Sequence, residues 1–136
     1  MTKKNNLLIQ TSGKRKTAVA RAVLKKGKGR VLINNTTIEL FKPAFYALRI
    51  KEPMILADKI ANEVDINVRV SGGGFSSQAD AIRIAISKAL VEHSPSLKQL
   101  FLDYDRAMLV SDVRFKEVSK PNSQGQARSK RQKSYR

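Results

Sequence analysis

The sequence predicts a mixed α/β domain followed by a basic extension, and three observations predict it. Val64, Ile66, Val68 and Val70 alternate with Asp65, Asn67 and Arg69, the period-two pattern of a strand with one buried and one wet face. Ala79, Ile82, Ile86, Ala89 and Leu90 then recur at three- and four-residue spacings as far as Glu92, the stripe of an amphipathic helix. After Val113 the only apolar side chains are Phe115, Val118, Ala127 and Tyr135, in no period. Such a segment cannot offset its ordering entropy alone, so it is expected to be disordered in isolation and extended when bound. The expected division is a globular body over 1–113 and a basic tail over 114–136.

Each element follows from local chemistry. Residues 7–11 and 17–24 read as strands on either side of the polar, glycine-containing bend Ser12-Gly13-Lys14-Arg15-Lys16. Lys25-Lys26-Gly27-Lys28-Gly29 is a second basic turn, leading into a short β-branched strand over 30–34. The three make a small antiparallel meander with cationic loops. Pro43 suits the first turn of a short helix toward Ile50, and Glu52-Pro53 opens another from Met54 to Ala61. The strand 64–70 comes next, then Ser71-Gly72-Gly73-Gly74, then the helix over 75–92, where Asp80 and Arg83, and Lys88 and Glu92, are spaced to pair on the surface. His93-Ser94-Pro95-Ser96 interrupts the pattern. Ser94 is positioned to cap, and Pro95 to begin, a short helix through Leu102, and 104–110 is a last apolar segment.

Composition bounds the function. At 136 residues the chain has the length of one domain, and 41% hydrophobic content suffices for a real core. Lys and Arg number 27 against 11 Asp and Glu, a formal charge of +16. That charge is unevenly placed, with net +10 over 1–30, −1 over 31–113 and +7 over 114–136. A near-neutral middle between two cationic ends points to a polyanionic partner, nucleic acid first, because a merely solubilising excess would be spread evenly. The absence of cysteine excludes disulfides, thiolate metal sites and cysteine nucleophiles, and His93 stands alone. No apolar run reaches the length of a signal-peptide core or a membrane span, so a soluble, cytoplasmic protein is expected.

The motifs that suggest an enzyme fail on inspection. Gly72-Gly73-Gly74 stands between a strand and a helix, where phosphate-binding turns occur. Ser77, however, occupies the position of the last glycine in G-x-G-x-x-G. Ser12-Gly13-Lys14-Arg15-Lys16-Thr17 is no P-loop either, since Leu8 and Arg15 stand where its first glycine and its magnesium-binding hydroxyl belong. The carboxylates are scattered, and Glu63 and Asp65 fall on the wet side of one strand. His93, at a helix end, is placed to neutralise a dipole. No cofactor and no catalytic residue is expected. The basic loops at 13–16 and 25–30, with Arg21 between them, combine Lys point charges with Arg forks suited to phosphate. The tail adds hydroxyl donors and one aromatic ring that can stack on a base.

A longer pattern goes beyond composition. The run Gln10 to Ala22, then Gly72-Gly73-Gly74-Phe75 with Gln78-Ala79 and Ala81-Ile82-Arg83, then Ser87-Lys88-Ala89-Leu90, Tyr104-Asp105-Arg106 and the ending Lys130-Arg131-Gln132-Lys133-Ser134-Tyr135-Arg136 resemble, in order, the universal small-subunit ribosomal protein nine family. Ser77 and the Ser134-Tyr135-Arg136 ending resemble its archaeal and eukaryotic branch, and an archaeal source is expected. The resemblance implies an α/β two-layer sandwich, a four-stranded sheet covered by helices, with the left-handed βαβ crossover of galactokinase-like folds, against the right-handed rule. It implies a structural, non-enzymatic role, with the body on the 3′ major domain of small-subunit ribosomal RNA, beside other proteins of the subunit head. Candidate rRNA-binding residues are Lys14, Arg15, Lys16, Arg21, Lys25, Lys26, Lys28, Arg30, Gly72, Gly73, Gly74, Arg114, Lys116, Lys120, Arg128, Lys130 and Arg131. In the family the tail runs toward the peptidyl-site tRNA, which assigns that contact to Arg136, supported by Lys133, Ser134 and Tyr135. The same charges also suit a free-standing nucleic-acid chaperone or DNA-compacting protein. A small phosphotransferase would need ATP to bind at Gly72-Gly73-Gly74.

Overall fold

Strand β5 (Val64–Ser71) lies at the centre of a five-stranded sheet in the computed structural model, which describes residues 8–132, 134 and 135. Its alternation is realised side chain by side chain, with Val64, Ile66, Val68 and Val70 buried and Asn67, Arg69 and Ser71 exposed. On one flank β2 (Ala18–Lys26) pairs with it antiparallel, and β1 (Ile9–Arg15) pairs antiparallel with β2. On the other flank β3 (Val31–Ile33) runs parallel to β5, and the two-residue β4 (Thr36–Thr37) folds back on β3. The sheet order is therefore β1-β2-β5-β3-β4, so the antiparallel meander expected of the first three strands is not formed: β5 comes between β2 and β3, and β3 is parallel to it. A parallel neighbour cannot be reached by a tight turn. The chain between β3 and β5 supplies the crossover with α1 (Ala44–Leu56) and the single turn α2 (Asp58–Ala61).

One face of the sheet is covered by α3 (Phe75–His93), on which α1 and α4 (Leu97–Tyr104) pack in turn. Small side chains set the distance between the layers. Ala18, Ala20 and Ala22 of β2 join Ala79, Ala81, Ala85 and Ala89 of α3 in one buried cluster, and Thr11 Oγ1 donates to the Ala85 carbonyl at 2.8 Å. Gly13 makes the closest approach. A Cβ there would overlap the Ala81 carbonyl and stand 2.7 Å from the Ala85 nitrogen. Leu24, Ile50, Ile82, Ile86, Leu90, Phe101 and Met108 fill the remaining core.

Several expectations are corrected. The sheet has five strands rather than four, because Asn34 and Asn35 adopt φ of 48° and 66° between the paired residues Ile33 and Thr36, the double left-handed turn that closes a two-residue hairpin. The bend expected over 12–16 is strand as far as Arg15, and only Lys16 and Thr17 turn, Lys16 at φ 52°. Gly13 serves packing there and not the turn. Glu52-Pro53 does not open a new helix. Pro53 sits inside α1, buried in line with Ala47 and Ile50, so burial of that stripe outweighs the hydrogen bond that proline forfeits. Ser94 ends α3, donating its N–H to Leu90, and α4 begins after Ser96. The strand start expected at Leu7 lies outside the described residues. Beyond the 3-10 turn Arg106–Met108, no helix or strand forms among the described residues.

Candidate nucleic-acid interface

Strand register sorts the basic residues into two clusters at opposite ends of the sheet. At one end the close of β1 and its bend into β2 carry exposed Lys14 and Lys16, and the glycine turn after β5 lies against that bend, the Gly72 Cα facing the Thr17 carbonyl so closely that a Cβ would reach 2.5 Å. Gly72 and Gly73 adopt φ of 78° and 63°, a region that disfavours side chains. Gly74 is the N-cap of α3 with no acid in the first turn, and Gln78 Nε2 donates to the Gly72 carbonyl at 3.1 Å. At the other end, exposed Lys25 and Lys26 close β2, and exposed Lys28 and Arg30 follow it. The eight-residue step from Ala18 to Lys26 separates the clusters by roughly 27 Å at strand rise, and Arg21 lies exposed between them.

The far loop is held in shape by Asp65. Its Oδ1 accepts from the Lys28 and Arg30 backbone N–H groups, both at 2.9 Å, and its Oδ2 from Arg30 Nη2 at 3.2 Å. Those two amides, more than the guanidinium, hold its carboxyl below the usual aspartate range. Gly27 fits beside the same carboxylate, where any Cβ would overlap it. The loop is thus a preformed set of cations around one anion.

The root of the tail joins the opposite cluster. Arg15, three-quarters or more shielded, contacts Asp112 at 3.0 Å and Asp80 at 3.8 Å. Arg114 Nη2 donates to Asp112 at 2.6 Å, and its side-chain and backbone donors, joined by the charge of Arg15, hold the Asp112 carboxyl far below its ordinary value and raise Arg114. Lys14 Nζ sits 4.9 Å from the Phe115 ring centroid, within cation–π reach. Farther along, Glu117 pairs with Lys120 at 3.3 Å and Arg128 at 3.0 Å. Lys116, Lys130, Arg131, Ser134 and Tyr135 are exposed, and among the described residues no acid pairs with them. Lys133 and Arg136 lie outside the described residues.

The expected Asp80–Arg83 surface pair is not formed. Asp80 turns to Arg49 at 3.1 Å, while Arg83 is buried and bridges Glu52 at 2.6 Å and Asp105 at 2.8 Å. Desolvation acts on Asp105 to raise its carboxyl, but the Ala107 amide and Arg83 prevail and lower it. Lys88 reaches the Ser12 carbonyl at 3.3 Å. Asp65, Asp80, Asp105 and Asp112 therefore serve as partners for guanidinium groups. No cluster of metal-ligating side chains and no helix long and apolar enough to cross a membrane occurs among the described residues. Sequence reasoning overlooked Arg69, exposed on β5 directly opposite Arg21. The alternation at 64–70 already put it on the wet face, but the pairing of β2 with β5 was not legible.

The two-layer fold thus presents cationic clusters at both sheet ends, with a basic segment rooted at one of them. The family described as ribosomal protein S9/S16 matches residues 13–136. The chain is also 46% identical, over 132 residues covering 95% of it and 98% of the relative, to the small ribosomal subunit protein uS9 of Methanococcus maripaludis strain C5, with the same figures for strain C7. It belongs to that family, is a structural, non-enzymatic protein of the cytoplasmic ribosome, and has relatives on the archaeal side, as the Ser134-Tyr135-Arg136 ending suggested.

Proposed function

We propose that this chain is a structural constituent of the small ribosomal subunit that binds small-subunit rRNA in the head through its two cationic clusters, and that its tail, 114–136, extends along RNA toward the peptidyl-site tRNA. The observation that carries the reading is that the family match runs through both clusters and to the end of the tail, so the basic segments belong to the shared pattern and are not appendages to it. Lys14, Lys16 and the Gly72-Gly73-Gly74 turn approach phosphate at one sheet end, and Lys25, Lys26, Lys28 and Arg30 at the other. Two anchors roughly 27 Å apart fix an orientation on a helix of RNA, which one cluster cannot do. Arg15 and Arg114 hold the tail root to the body through Asp112, giving the rest of the tail a defined point of departure.

Sedimentation of cell extract at moderate salt tests this. The chain is expected in the small-subunit fraction, with rRNA of the 3′ major domain recovered on it. Residence in the light fractions, bound to mixed nucleic acid, would instead identify a free-standing chaperone, and saturable ATP binding would revive the phosphotransferase.

A further inference from the structure

The open face of the sheet carries a basic pair that belongs to neither loop cluster. Arg21 of β2 and Arg69 of β5 are Cα partners in the antiparallel register, and both are exposed on the side away from α3. Like charges directly opposed on one face work against strand pairing, and none of the ion pairs formed among the described residues uses either guanidinium. They stand over a shallow groove of about 390 Å³ whose other walls include Val19, Asn34, Asn35 and Ser71. No carboxylate lines it. Its rim is fixed, because Asn34 accepts the Val70 N–H at 3.0 Å and donates its amide to the Val70 carbonyl at 3.2 Å, extending the edge of the ladder with a side chain. Lys14 lies one row along on the same face, since Lys14 is opposite Val19 and Val19 is opposite Ser71.

We infer that this groove seats a phosphodiester of an RNA backbone, with Arg21 and Arg69 gripping the phosphate oxygens and the Ser71 hydroxyl and Asn35 amide adding neutral donors. The inference rests on the rRNA-binding reading above and adds to it a site on the sheet itself. Two guanidiniums held at adjacent strands, with amide and hydroxyl donors and no acid, match a phosphate diester in charge and in hydrogen-bond sense. The position also fits, because a backbone running from the glycine turn at one sheet end to the Asp65 loop at the other passes over this row. The apparent fault of two opposed arginines is then resolved by the ligand.

The test uses the full chain and a transcript of the 3′ major domain of small-subunit rRNA, titrated across salt concentrations. Arg21→Gln and Arg69→Gln are each expected to weaken binding about tenfold at low salt and to lower the salt slope by about 0.7–0.9, the value of one phosphate contact. Arg69→Lys is expected to keep the slope and lose part of the affinity with the bidentate fork. Free Arg69→Gln protein is expected to melt at or above the wild-type temperature, which separates loss of a ligand contact from damage to the fold. Wild-type affinity and slope in both Gln variants, with wild-type protein binding normally, would overturn the groove and leave the rRNA reading standing. Absence of binding by wild-type protein would overturn that reading itself. Unchanged RNA binding together with loss of a neighbouring protein from reconstituted subunits would overturn the phosphate assignment in favour of an acidic protein surface.

Discussion

Single residues in this chain hold tolerances that their type does not announce. Gly13 reads as a turn former, yet it lies within β1 where the strand meets α3. Gly13→Ala would drive a methyl into the Ala81 carbonyl and the Ala85 amide, backbone atoms that cannot rotate aside. Overpacking of this kind is expected to cost about 2–3 kcal/mol, read by urea denaturation, and a loss under 0.5 kcal/mol would mean that the strand and helix can separate at no cost. Asp65 carries a pH dependence whose sign is fixed. Its carboxyl titrates below its ordinary value when folded, so the stabilisation it gives is complete above about pH 4, near the unfolded value, and is lost as pH falls through the folded one. Asp65→Asn is therefore expected to melt below wild type at pH 7 and to converge with it toward pH 2. Amide exchange at Lys28 and Arg30 should quicken in the same variant, since those are the N–H groups that the carboxylate accepts.

At the scale of elements, what was legible is what short-range periodicity encodes. β5 and α3 fall within a residue or so of the expected 64–70 and 75–92, because each has an uninterrupted pattern on one buried face. The prediction for β5 follows directly. Ile66→Asp puts a carboxylate among Leu24, Val68 and the α3 core and is expected to cost several kcal/mol, whereas Asn67→Asp, one residue away on the exposed face, should cost less than about 1 kcal/mol. Thermal unfolding ranks them, and a reversed order would mean that the faces are exchanged. What was not legible depends on partners distant in sequence. Pro53 continues α1 because Ala47 and Ile50 are buried beside it, and Arg83 leaves its i−3 neighbour for Glu52 and Asp105. Local spacing assigns such residues to surfaces and breaks, and only the packing of α1 against α3 reassigns them. The Asn34-Asn35 hairpin did carry a local signal, two consecutive residues tolerant of positive φ, which the strand reading of 30–34 ran through.

For the whole molecule, the separation of charge implies a division of labour between body and tail. The body's clusters are anchored on rigid elements, one shaped around Asp65 and the other against the glycine turn. The tail leaves the body at Asp112 and forms no helix or strand among its described residues. If about half of its eight Lys and Arg meet phosphates, deletion of 114–136 removes roughly four counterion-releasing contacts and should lower the salt slope of rRNA binding by about 3, while the body still binds. Loss of Arg136 alone removes at most one such side chain. The reading of the tail tip as a tRNA contact then requires that subunits built with a chain ending at Tyr135 form in nearly normal yield yet release peptidyl-site tRNA faster, by an amount equivalent to about 1–3 kcal/mol for a charge-assisted contact left unmade. Dissociation of tRNA from the two kinds of subunit, with subunit yield measured alongside, checks both halves of that expectation. Unchanged dissociation with poor yield would make Arg136 an anchor on rRNA. The tail would then serve assembly, and the body's two clusters together with the tail would form one continuous rRNA-binding surface with no contact reserved for tRNA.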